Sequence, residues 1–213
     1  MNNEQRRTII KTAYRLFLEY GYDKLTTRVL ADACGMQRSL LSHYFDKKEN
    51  ILLAVYLDII REIENYCRLT LSEKQIQTLD VIMVFHMFFR MMDADPRYKN
   101  IYMPVYMDPR ILNRALCFAV DNNDFFGMPA ITEQKKISMF IISGSMSQLM
   151  LLCENGRLNM NIRNLINFAM EGYYLHLGFG PKKTQKIVAQ VNKILTKSYV
   201  LRFIVYYEKK MLN

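Results

Sequence analysis

Between Met36 and Asp95 lie 60 consecutive residues without a glycine or a proline. Leu, Ile, Met, Phe, Glu, Lys and Arg dominate the run, a mixture that favours long helices and gives a sheet no turns to reverse on. Outside it, breakers at Pro96, Pro104, Pro109, Gly127 with Pro129, Asn155 with Gly156, and Gly178 to Pro181 cut the chain into helix-sized pieces. No segment alternates with period two for long. Tyr199 to Tyr207 is rich in strand formers but has no partner strand, so a terminal helix or an extended tail is expected there. The predicted fold class is all-α.

At 213 residues, with 51% hydrophobic and 23% charged side chains, the chain has room for one or two small domains around a packed core. Its formal charge of +9 favours a polyanionic partner. That charge sits at the two ends, and the lysines at 182, 183, 186, 193 and 197 read as a solvated helix face. The start does not resemble a signal peptide, and no charge-free run is expected to approach the ~18 residues of a membrane span. A cytoplasmic protein with no membrane partner is expected. Cys34, Cys67, Cys117 and Cys153 form no C-x-x-C pair, so they read as reduced, mostly buried thiols with no metal or redox motif. Three scattered histidines, His43, His86 and His176, offer no metal-ligand spacing, and there is no glycine-rich phosphate loop or nucleophile motif, so neither an enzyme nor a cofactor is expected.

The N-terminal fifty residues carry the sharpest pattern. Ile9, Ile10, Ala13, Leu16, Phe17 and Tyr20 recur at three- and four-residue steps, one apolar stripe on a first helix that Gly21 ends. Thr26 or Thr27 can cap a short second helix with Leu30, Ala31 and Cys34 facing inward, and Gly35 ends it. A third helix beginning near Gln37 buries Leu41 and Phe45 and turns Gln37, Arg38, Ser39, Ser42, His43 and Tyr44 outward. Two short helices across a glycine turn, the second exposing hydrogen-bond donors near its start, suit entry into a major groove.

These residues carry a family resemblance. IIKTAYRLFLEYGYDKLTTRVLADACGMQRSLLSHYFDKKENIL, Ile9 to Leu52, resembles the DNA-binding domain of the TetR family of bacterial transcriptional regulators. The resemblance implies base-edge contacts for Arg28, Gln37, Arg38, Ser39 and Leu40, and phosphate contacts for Thr26, Thr27, Ser42, His43, Tyr44 and Lys48. Arg38 suits guanine O6/N7, Gln37 suits adenine, and Leu40 suits a thymine methyl. The chain departs from the family at Gln37, where a small hydroxyl often caps the helix, at Leu40, where Thr is common, and at Ser42, where an aromatic is usual. These departures bear on operator sequence and affinity.

The resemblance further implies a helical body that binds a small ligand and dimerises. The expected division is 1–48 for DNA binding and 49–213 for ligand binding and dimerisation. A connecting helix from about Lys48 to Leu71 is the expected mechanical link. A helix from about Ile76 to Met92 and the Met- and Tyr-rich stretch after it suggest a pocket for an apolar or aromatic effector, formed by Met83, His86, Met87, Arg90, Tyr102, Met103 and Tyr106. Ile137 to Cys153 is apolar nearly all round and must be buried on more than one side. With the next helix it suggests a two-fold interface of Ile137, Ile141, Gly144, Gln148, Leu151, Ile166, Ala169 and Tyr173. The expected function is a sequence-specific, ligand-responsive repressor acting as a homodimer on double-stranded operator DNA. The alternative is an architectural or adaptor protein of the same fold with no effector.

Overall fold

A computed structural model describes residues 3–78, 82–121 and 132–212. The described residues form α-helices and one short 3-10 helix, with no strand among them. In chain order the helices are α1 (Asn3–Tyr20), α2 (Thr27–Ala33), α3 (Arg38–Tyr44), α4 (Lys48–Thr70), α5 (Glu73–Thr78), α6 (Ile82–Ala94), α7 (Lys99–Met107), α8 (Pro109–Asp121), α9 (Glu133–Glu154), α10 (Ile162–His176), α11 (Pro181–Ile194) and α12 (Lys197–Leu212). The 3-10 helix Pro96–Tyr98 precedes α7. The breakers at Gly127 and Pro129 lie outside the described residues.

Helices α1 to α3 close on Ile9, Ala13, Phe17, Leu30, Ala31 and Leu41, all essentially without solvent contact. Gly21 and Gly35 follow α1 and α2 at φ +87° and +64°, a backbone region that side chains other than glycine enter at a cost. The long α4 then carries Leu52, Val55, Tyr56, Ile59 and Ile63, fully buried at three- and four-residue spacing, from the N-terminal unit into the body. Here α6 packs on α10 and α12, and α10 packs on α9 and α11. The segment read as one helix from Ile76 to Met92 falls in α5 and α6, and residues 79–81 between them lie outside the described residues.

Pro104 does not break the chain. It sits inside α7, where the burial of Tyr102, Val105 and Tyr106 outweighs the one backbone hydrogen bond that proline cannot make. The strand-forming run Tyr199–Tyr207 lies within α12, because Tyr199, Val200, Phe203, Ile204 and Tyr207 form one buried helical stripe. Only Cys67 is fully buried; Cys34, Cys117 and Cys153 are half-buried, and all four are free thiols.

Helix α9 corrects two expectations. Its charge-free run, Ile137 to Cys153, is 17 residues long, and by length and hydropathy the helix is apolar enough to cross a membrane. It is also buried on one side only. Met139, Ser143, Met146, Ser147 and Met150 face the core, while Ile137 is 58% and Ile141 45% exposed.

An aromatic ladder joins the body to the N-terminal unit. Tyr56 stacks on Phe88 at 4.8 Å, and Phe88 meets Tyr102 edge-on at 4.6 Å. Tyr102 stacks on Tyr98, whose hydroxyl lies 2.8 Å from that of Tyr14 on α1. Tyr14 in turn meets Tyr207 of α12 edge-on, and the Tyr207 hydroxyl donates to Asp58 of α4 at 2.8 Å. Asp58 also accepts from Arg7 of α1 at 3.2 Å.

Candidate nucleic-acid interface and effector cavity

The exposed face of the N-terminal unit is built on α2 and α3. Thr26 takes extended backbone and its hydroxyl accepts from Val29 N–H at 3.2 Å, so it, and not Thr27, caps α2. Gln37 occupies the equivalent place before α3 but its side chain makes no cap, which leaves the amide free to reach outward. Gln37, Arg38, Ser39, Ser42 and His43 are all exposed, Leu40 is 37% exposed, and Arg28 is exposed on α2. The hydrogen-bonding face expected from the sequence is therefore present on one short helix.

Three of the residues expected against phosphates are engaged within the chain. Thr26 serves as the cap. The Tyr44 hydroxyl donates to Gln5 of α1, and its ring meets His43 edge-on. Lys48 donates to the carbonyls of Tyr22 and Leu25 at 3.1 and 2.9 Å, and its ammonium lies 3.9 Å from the Tyr22 ring centre. It fastens the loop between α1 and α2, a role that sequence position did not reveal because the loop carbonyls it meets lie over twenty residues earlier.

A cavity of about 30 Å³ lies within the body, among α6, α7, α9 and α10. His86 and Phe89 come from α6 and Tyr106 from α7; Met139, Ile142, Ser143 and Met146 come from α9, and Ile166, Ala169 and Met170 from α10. Of the residues expected there, only His86 and Tyr106 line it. Met83 has its side chain outside the described residues. Met87 is buried elsewhere in the core, Tyr102 belongs to the aromatic ladder with its hydroxyl on the Met91 sulfur, and Met103 borders outer grooves.

Arg90 is a clamp within the fold. Its guanidinium donates to the Leu195 carbonyl and to Asn192 Oδ1, tying α6 to α11 and its end, and burial lowers its pKa to about 10. The inward face of α9, Met139, Ser143 and Met146, carried the missed signal: three cavity residues at helical spacing.

Of the residues expected at a dimer interface, Ile137, Ile141, Gly144, Gln148 and Leu151 are exposed along one side of α9. Ile166, Ala169 and Tyr173 face inward, because the opposite side of α10 is the exposed one, with Phe168 at 61% and Leu175 at 46%. The stripe expected to meet a partner is the one that closes the protomer's own core.

A seven-residue helix held across a glycine turn, with an uncapped Gln37 and an exposed Arg38 at its start, gives the N-terminal unit the geometry of a helix-turn-helix. Residues 9–55 match the family of bacterial regulatory proteins, tetR family. It is 45% identical over 51 residues to the HTH-type transcriptional repressor Rv1474c of Mycobacterium tuberculosis, and 42% identical over 50 residues to the HTH-type transcriptional repressor AcnR of Corynebacterium glutamicum. Each match covers 24% of this chain and 27% of the relative, so the chain matches about a quarter of the length of these proteins. The fold as a whole is similar to a TetR transcriptional regulator from Rhodococcus sp. RHA1, with a TM-score of 0.60 at 17% identity over 83% of this chain and 98% of that one.

Proposed function

We propose that this protein is a homodimeric repressor that reads operator DNA with α3 and answers to a small molecule held in its body. The exposed run Gln37, Arg38, Ser39 and Leu40 carries the reading, because it presents donors and an apolar contact on a helix narrow enough for a major groove. Residues 1–48 read DNA and residues 49–213 sense and dimerise. The protein works in the cytoplasm and catalyses no reaction. Repression is the activity named for the two relatives whose N-terminal segments it matches.

Dimerisation supplies the second reading head. A two-fold pair presents its two recognition helices about 34–36 Å apart to reach successive major grooves. The exposed side of α9, flanked by Phe168 and Leu175, is the self-complementary apolar surface such a pair needs. The same two helices wall the cavity, so a molecule that spreads them changes the spacing of the reading heads. Its effect on DNA affinity is limited to its differential affinity for the two spacings. The small size of the cavity, about 30 Å³, favours the alternative, a TetR-like DNA-binding protein with no effector, and a search for effectors that release DNA separates the two.

Selection of bound oligonucleotides from a random pool tests the DNA reading, with enrichment of a two-fold symmetric sequence expected. On that sequence, Arg38→Ala is expected to relax preference at one base pair per half-site and cost about 1–3 kcal/mol. Lys48→Ala is expected to weaken binding to every sequence alike and to lower the melting temperature, since it frees the α1–α2 loop. Equal losses on all sequences for both variants would remove Arg38 from the groove.

A further inference from the structure

The body cavity specifies more about its occupant than that one exists. No charged side chain lines it among the described residues. Arg90, one turn from His86, is held by Leu195 and Asn192 and is not available to neutralise an anion. An ion brought into such a space loses its water without compensation, so the walls select a neutral molecule.

His86, Ser143 and Tyr106 are the lining residues with polar groups, and His86 is the one that carries two ring nitrogens. It is 1% exposed, it lines the cavity, and neither ring nitrogen has a hydrogen-bond partner among the described residues. Burial, helped by the Arg90 charge, holds its pKa well below the ordinary range, so the ring is neutral and carries one N–H donor and one acceptor nitrogen. A hydroxyl, which both donates and accepts, matches whichever nitrogen it meets. Phe89 and Tyr106, with ring centres 5.1 Å apart, form an aromatic wall, and Met139, Met146 and Met170 form an unbranched, adaptable one. Methionine is unbranched and changes rotamer readily, so this wall can adapt to an occupant larger than the present void.

We propose that the cavity takes a neutral, mainly apolar alcohol or phenol whose single hydroxyl hydrogen bonds to His86. This rests on the reading of the body as a sensor but not on the DNA sequence that it controls.

The test uses the full chain and three probes of one shape: para-cresol, toluene and para-toluate. Saturable binding of para-cresol, followed by calorimetry and by the 15N shifts of the His86 ring, is expected to be about tenfold tighter than that of toluene, the worth of one buried hydrogen bond. Para-toluate is expected not to bind. His86→Leu is expected to erase the preference for cresol over toluene and to melt above the wild type, because it removes an unpaired buried imidazole. His86→Gln, which keeps a donor and an acceptor, is expected to retain part of the preference. Tighter binding of para-toluate, equal binding of cresol and toluene, or no binding by any probe would each overturn the proposal. Operator binding measured on the same samples keeps its failure distinct from failure of the repressor reading, since a protein that binds cresol as expected but no operator loses only the latter.

Discussion

Gly144→Glu is expected to leave each protomer folded and to abolish the dimer. A Cβ added at Gly144 meets nothing within 4 Å in the protomer, and replacing a glycine in the interior of a helix raises helix propensity by up to about 1 kcal/mol. The carboxylate therefore costs nothing until a second copy arrives, and then it is desolvated against the apolar side of α9. Sedimentation equilibrium should give the protomer mass. Operator affinity should fall toward the non-specific level, on the order of 10³-fold or more, because a single reading head remains. A variant that stays dimeric at wild-type affinity would take this side of α9 out of the interface.

Phe88→Ala is expected to cause the largest loss of stability of any single substitution in the body. Phe88 is fully buried between the Tyr56 and Tyr102 rings. Truncation removes both ring contacts and leaves a void that two rigid rings fill poorly, at a cost of about 3–5 kcal/mol. Chemical denaturation followed by circular dichroism measures it. A loss below about 1 kcal/mol would mean that α6 and α7 close over the gap, and that the ladder is softer than its ring distances indicate.

The N-terminal unit was legible because its determinants are local: an apolar stripe, a capping threonine and two glycines that end helices, all within fifty residues. Its exposed face was legible for the same reason, since outward positions on α3 follow directly from the burial of Leu41 and Phe45. The cavity was not legible, because its walls come from four helices and which side of each turns inward depends on partners far away in sequence. Arg90 shows the limit. Its spacing from His86 placed it one turn along the same helix, yet Leu195 and Asn192, more than a hundred positions later, decide what it does. The same holds for α10, whose apolar stripe was visible while its direction was not.

The contact of α12 with α1 bears on how such a protein is rebuilt by exchange of parts. Tyr14 spends its ring on Tyr207 and its hydroxyl on Tyr98, and Arg7 is paired with Asp58. A hybrid that carries residues 1–48 onto a foreign body strips all three partners from α1 at once, although the recognition helix itself is untouched. The transplanted head would keep the exposed face of α3 and lose its footing. A working exchange has to carry the ladder residues of α4, the 3-10 helix and α12 along with the head, so the transferable unit is discontinuous in the chain.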